Sequence, residues 1–131
     1  MKRFCLLTVV VIACAVLCGC GKYTSSYSAL MLVQTNTSEK ANMSFSSFKG
    51  TNVFTLQCDG EEGRKLKYTA EVEDGKITVF YDYDDTKTEW FTIDGDGELS
   101  GELENIPKGK VYIIVESDGK CKEGKLDFSI E

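Results

Sequence analysis

Three groupings of side chains in this sequence are of types that can do chemistry. Asp94-Gly95-Asp96-Gly97-Glu98 puts carboxylates at alternate positions in a glycine-rich stretch, offering the hard oxygen ligands that Ca²⁺ takes. An EF-hand loop counted from Asp94 ends on Asn105, where a bidentate Glu belongs. The segment therefore also reads as a hairpin loop that uses Asp-Gly for its positive φ. Asp82, Asp84, Asp85 and Glu89 could pair as the acid and base of glycoside hydrolysis; an acidic strand end is equally ordinary solvated surface. Tyr81, Tyr83 and Trp90, with Phe91 and Tyr112 nearby, could form a flat row that stacks on a sugar or anchors a protein. The competing role for these rings is the aromatic part of a β core.

What is missing narrows the chemistry further. The chain has 131 residues and no His, which removes the commonest general base and every imidazole metal ligand. No G-x-S-x-G elbow is present to activate a serine. The net charge of −6 disfavours a nucleic-acid partner, because phosphate binding needs a Lys/Arg footprint. The expectation is a protein without enzymatic activity, without a cofactor and without a resident metal.

The first twenty residues read as an address. Met1-Lys2-Arg3 is a basic start, and Phe4 to Leu17 is uncharged and mostly apolar, the n-region and h-region of a secretory signal. The run is too short for a spanning helix, which needs about 20 apolar residues. It closes on Leu17-Cys18-Gly19-Cys20, which resembles the bacterial lipobox. That resemblance implies diacylglycerol on the Cys20 thiol, cleavage just before Cys20, and attachment to the extracytoplasmic face of the bacterial membrane. Two acyl chains suffice for stable anchoring, where one is marginal. The division expected is a signal peptide over 1–19, lipidated Cys20 with a short linker over 20–28, and a domain over 29–131.

Processing also changes the cysteine count. Cys5, Cys14 and Cys18 leave with the signal and Cys20 carries lipid, so only Cys58 and Cys121 remain in the domain. Export places them where disulfides persist, and a Cys58–Cys121 bridge is expected. Two thiolates fall short of a zinc set. Losing Lys2 and Arg3 takes the net charge from −6 to −8, which favours solubility and permits a basic partner.

The remaining chain alternates with period two. Leu66, Tyr68, Ala70 and Val72 share one face; so do Phe54, Leu56 and Cys58, then Ile77, Val79, Tyr81 and Tyr83, then Leu126, Phe128 and Ile130. Val111 to Val115 is apolar on both faces and reads as a central strand. Leu99 and Leu103 point inward in a weaker strand, and Pro107 falls in a connection. Tyr27 to Thr35 fits a strand better than a helix in this company. Asp-Gly pairs punctuate the runs, and Asp74-Gly75 reads as a tight hairpin between two strands. The fold expected is all-β: a single antiparallel β-sandwich, jelly-roll-like or Ig-like, of eight to nine strands after an N-terminal signal helix.

Phe45-Ser46-Ser47-Phe48-Lys49-Gly50, Asp74-Gly75-Lys76-Ile77 and Gly124-Lys125-Leu126-Asp127-Phe128, in that order after a lipobox, resemble phrases of small surface lipoproteins from Gram-positive gut-type bacteria. The resemblance implies one β-sandwich domain of unassigned activity and supplies no site residues. The function expected is a lipid-anchored binding or envelope-interaction module with a protein or glycan partner. Two alternatives stand beside it. One is an inhibitor of a basic envelope enzyme such as a lysozyme, since Cys58-Asp59-Gly60 is similar to a strand end of such inhibitors. The other is a carbohydrate-binding module using Tyr81, Tyr83 and Trp90.

Overall fold

The structure, a computed structural model, describes residues 22–131; the expected signal segment and Cys20 lie outside the described residues. Among the described residues there are seven strands and no helix: β1 (Ser26–Leu30), β2 (Val33–Asn36), β3 (Lys40–Cys58), β4 (Leu66–Asp82), β5 (Thr88–Asp94), β6 (Gly97–Leu103) and β7 (Gly109–Ile130). They form one antiparallel sheet in the order β1-β3-β7-β4-β5, with β2 also on β3 and β6 also on β4. β7, which carries the doubly apolar Val111–Val115, is central as its pattern requires. Tyr27 to Thr35 is strand, broken at Met31 and Leu32 into β1 and β2. β1 begins at Ser26, so the sheet reaches into the stretch expected to be linker.

Three strands are far longer than a typical five or six residues: 19, 17 and 22 residues for β3, β4 and β7. Each bends instead of stopping. β3 shifts register between Phe48 and Thr51, and β4 shifts between Asp74 and Lys76, both against β7. The bend creates two layers from one sheet. The first layer is β2, β3 up to Phe48, β7 from Cys121, β4 up to Val72, and β6. The second is β3 from Thr51, β7 up to Asp118, β4 from Lys76, and β5.

The layers face each other across the core. Phe54 of the second layer lies 6.1 Å from Phe128 of the first, centroid to centroid, and Tyr68 stacks on Phe91 at 3.7 Å. Leu56, Leu66, Ile77, Val79, Ile113 and Leu126 fill the space with no exposed surface. Burying each such side chain stabilises the fold by about 1.5–3 kcal/mol, which is what holds a bent sheet closed.

Two expectations are corrected here. Asp74-Gly75 is not a hairpin: it is the corner of β4. Gly75 has φ +103°, and a Cβ there would stand 2.7 Å from Cys121 Sγ and 2.8 Å from Cys121 Cα. The glycine serves the positive φ a hairpin needs, but spends it where two strands cross the corner together. Asp118-Gly119 and Glu123-Gly124 likewise fall inside β7. The eight or nine strands expected become seven because these apparent turns do not end strands.

Cys58 and Cys121 are both free and buried, so the expected bridge is not formed. Cys58 pairs with Gly109 at the far end of the second layer, whereas Cys121 pairs with Phe48 at the corner. The intervening length of β7 is about 40 Å at strand rise, against a Cα separation of at most about 7 Å for a disulfide. The Cys121 thiol sits within 3.4 Å of the Lys76 carbonyl, and burial pushes its pKa up. It behaves as a small apolar core residue.

Candidate functional site

The sheet gives its two outer faces different surroundings. On the first layer, the outward residues line up as rungs across five strands. One rung is Thr35, Asn42, Asp127, Thr69 and Ser100; the next is Val33, Ser44, Lys125, Glu71 and Glu98. A shorter one runs Lys40, Ser129, Lys67, Glu102. Alternation makes this inevitable once the inward partners Ala41, Met43, Leu126, Phe128, Leu66, Ala70 and Val72 are fixed in the core. The result is a polar face rich in hydroxyl, amide, carboxylate and ammonium groups, with no aromatic residue in any rung.

Two shallow grooves open along that face. One, of ≈ 650 Å³, lies at the corner end between Glu71, Glu73, Asp96, Glu98 and Glu123, with Lys125 the single cation. The other, of ≈ 550 Å³, lies at the opposite end among Asn42, Lys67, Thr69, Ser100, Asp127 and Ser129. Among the described residues no ion pair ties Lys125 to Glu71 or Glu98, and Lys67 reaches only Glu131, at 3.0 Å. Lys125 and the amide and hydroxyl groups of the first rung are thus open to water and to ligand. Beside the acidic groove, Leu30, Met31 and Val33 are exposed, Met31 at 79%, with Met31 held at φ +54°.

The outer face of the second layer is covered over its centre, around Asp82, Tyr112 and Val53, while Thr55, Gln57 and Lys110 stay exposed. Residues Lys22 to Ser25 run along it. Lys22 Nζ is 2.8 Å from the Asp82 carboxylate and 3.2 Å from Asp85; the Tyr23 hydroxyl donates to Asp82 at 2.6 Å; the Tyr23 ring meets Tyr112 edge-on at 5.4 Å. The backbone N–H of Val53 donates to Ser25 Oγ at 2.8 Å. Lys87 lies over the Phe80 ring at 4.3 Å. Ile114, whose neighbours Ile113 and Val115 face the core, is itself 2% exposed, so the outward side of the central strand is dry here too.

Asp82 is the chemically notable group, at 1% exposure. Burial pushes its pKa up, but the hydrogen bonds from Lys22 and Tyr23 and the Lys22 charge outweigh this and hold the carboxyl below its ordinary value. Lys22 is correspondingly raised by its hydrogen bond to Asp82. An ionised carboxylate already saturated by an ammonium and a phenol has no capacity left to act as a proton donor at neutral pH. Asp84 and Asp85 are exposed in the following loop. The acids considered for glycoside hydrolysis are thus divided among a structural ion pair, a solvated loop and, for Glu89, an exposed position on β5.

The other sequence candidates are also placed. Asp94 closes β5 in the second layer, Glu98 belongs to β6 in the first, and Asp96 lies in the turn between them. Among the described residues no three such side chains come close enough to hold a metal ion. Trp90 and Tyr83 are half-buried against the core. Trp90 meets Tyr68 edge-on at 4.7 Å and Tyr81 at 6.0 Å, and Tyr81 stacks on Tyr83 at 5.4 Å. These rings close the gap between the layers at the β5 edge and do not form an exposed row. The polar rungs and the Lys22–Ser25 strap escaped the sequence reading. Outward polarity on each strand was visible, but which residues become neighbours depends on register.

No family model matches the chain, and neither does any curated protein. Among solved structures, a family 61 carbohydrate-binding module in complex with β-1,4-galactotriose is similar at 16% identity and TM-score 0.51, covering 82% of this chain and 87% of that one. The pre-peptidase C-terminal domain of a Bacillus anthracis collagenase is similar at 17% identity and TM-score 0.47, covering 74% and 91%. A periplasmic inhibitor of g-type lysozyme from Aeromonas hydrophila follows at 19% identity and TM-score 0.48, covering 76% and 93%. At these identities the likeness is one of fold alone: the chain is an all-β domain.

Proposed function

We propose that the protein is a lipid-anchored, extracytoplasmic β-sandwich without enzymatic activity, and that it binds a ligand on the polar outer face of its first layer. The observation that carries this reading is the contrast in cover. One outer face carries the chain's own N-terminal residues, while five strands present open polar rungs on the other. Anchoring rests on the basic n-region, the apolar run and the LCGC tail of the sequence. The absence of His, and the engagement of Asp82 by Lys22, support a binding role over a catalytic one.

The groove around Asn42, Lys67, Thr69, Ser100 and Asp127, with Tyr68 and Phe128 also in its lining, suits a glycan held by hydrogen bonds, since its amide, hydroxyl, ammonium and carboxylate groups supply both donors and acceptors. A glycan array probed with the protein should show binding that Asp127→Ala and Thr69→Ala abolish together with unchanged folding. Binding unaffected by both substitutions defeats this assignment of the face. A second reading concerns the acidic groove: five carboxylates beside exposed Leu30, Met31 and Val33 suit a basic protein partner. Association that weakens steeply with salt and with Glu71→Lys supports that reading; salt-independent association removes it.

A further inference from the structure

We infer that the membrane is a fixed neighbour of one end of this domain: the end formed by the loop after Asp82 and the start of β7 faces the bilayer, and the corner with the acidic groove faces away. This rests on the proposed lipid at Cys20 and adds an orientation to it. What carries it is the length of chain between the lipid and the fold. Lys22 is pinned by Asp82 and Asp85, and Tyr23 by Asp82 and Tyr112. Gly21 alone separates that pinned residue from Cys20. The Cα of Cys20 therefore lies within about 8 Å of that of Lys22. A diacylated residue keeps its backbone at the headgroup level, so the recess that receives Lys22, lined by Asp82, Tyr83, Asp84, Asp85, Lys110 and Tyr112, is held against the membrane surface.

The opposite pole follows from register. From the Asp82–Tyr112 pair to the Lys76–Asp118 pair the strands run six residues toward the corner, about 20 Å. The N-terminal residues travel the same way, from Asp82 at Lys22 to Val53 at Ser25 and on to β1 beside the corner of β3. The strap is a strut that leaves the bilayer and rises along the covered face. Charge does not set this orientation. Lys22, Lys87 and Lys110 are offset by Asp82, Asp84 and Asp85, so the membrane-facing end has no basic patch for anionic lipid.

The test uses vesicles of phosphatidylcholine carrying a headgroup-nitroxide lipid. A fluorescent non-natural amino acid replaces Thr86, in the loop beside Lys22, or Lys120, at the corner; both are exposed. Two preparations are compared: protein acylated in the cell, and protein carrying a synthetic diacyl group on the Cys20 thiol, Cys58 and Cys121 being buried. Quenching at Thr86 should exceed that at Lys120 severalfold in both, and added salt should not change the ratio. A long Gly-Ser insertion between Gly21 and Lys22, which leaves every described contact in place, should bring the two sites to equal quenching. Equal quenching without the insertion overturns the orientation, as does an asymmetry that survives it. An unacylated Cys20 in cells with an asymmetric synthetic preparation defeats the lipoprotein reading alone; an acylated Cys20 with equal quenching defeats the orientation alone.

Discussion

The two outer faces of this bent sheet begin from the same material and end differently. Both are built from β3, β7 and β4, in which alternate residues point outward. On the first layer the rungs Thr35-Asn42-Asp127-Thr69-Ser100 and Val33-Ser44-Lys125-Glu71-Glu98 stay open to solvent. On the second, the outward positions include Phe80, Tyr112 and Ile114; Lys87 lies over Phe80, Tyr23 meets Tyr112, and Ser25 is fastened to Val53 beside them. An apolar outer face has to be covered, whereas a polar one can remain bare. Bareness is therefore informative only because the other face shows what the chain does when a surface needs hiding.

That contrast depends on the corner, so the largest effect should come from breaking it. Gly75→Val asks a β-branched residue to hold φ +103° with its Cβ against Cys121. Strain and overpacking together should cost about 3–5 kcal/mol, read as a lowered urea midpoint. Gly95→Ala is the control: φ is +75° but nothing lies within 4 Å of the new Cβ, so only about 1 kcal/mol is expected. Equal losses at both positions would mean that Gly75 acts as an ordinary turn residue and that the corner is not what packs the layers.

The covered face should be next in magnitude. Asp82→Ala removes the acceptor of Tyr23 and the partner of Lys22. Loss of a hydrogen bond to a charged group inside a half-buried site should cost about 2 kcal/mol, with amide exchange at Val53 accelerated because Ser25 no longer stays beside it. Asp127→Ala on the bare face should change stability by less than about 0.5 kcal/mol. A comparable cost at Asp127 would show that the open rungs are also structural, which would erase the distinction between the faces.

Acid should separate the faces without mutation. The folded pKa of Asp82 lies below its unfolded value, near 3.9 for a free carboxyl, so its stabilisation is complete above that value and is lost as pH falls through the folded pKa. Lys22 shifts the other way: its contribution is complete below an ordinary lysine pKa and is lost only in strong alkali as pH rises through its raised value. Protection of Val53 should thus hold across the neutral range and fall below about pH 4, while backbone protection in the first layer stays level. Asp59, held down to about 2 by Arg64, is an exposed loop pair and should add little. Loss of Val53 protection near neutrality would point to a group other than Asp82.

Much of the fold was legible because alternation is a strong signal in strands buried on one face. The inward faces of Leu66–Val72 and Leu126–Ile130 came straight from the pattern, as did the central place of Val111–Val115. What failed was punctuation. Asp74-Gly75 has the same composition whether it reverses a chain or bends it, since both need positive φ. Only the partner strand distinguishes the two, and here that partner is Cys121 of β7, 46 residues on. Cys58 and Cys121 were misread for the same reason: strand ends are easy to see, but not which end of the sheet they occupy. The candidate site was less legible still. Asp127, Thr69 and Asn42 become neighbours through register, and Lys22 finds Asp82 across 60 residues of sequence, which no local pattern encodes.

The smallest expected effect on stability is also the one that divides the two ligand readings. Met31 is exposed and adopts φ +54°, a conformation that asparagine tolerates better than other side chains. Met31→Asn should therefore relieve slight strain while losing no core contact, leaving the unfolding free energy within about 0.5 kcal/mol of the parent. Met31 lines the acidic groove and is remote from the Asn42–Thr69–Asp127 groove. Binding of a basic protein through the corner end would lose the apolar anchor that Leu30, Met31 and Val33 provide, and an anchor at the centre of an interface is worth about 1–2 kcal/mol when truncated. Affinity should then fall roughly tenfold with folding unchanged. A glycan held along the Asn42–Asp127 rung should bind the variant as it binds the parent. Titration of both ligand classes against Met31→Asn thus reports which end of the bare face is in use; a stability loss of several kcal/mol would instead make the β1–β2 connection part of the fold's foundation and remove it from the binding surface.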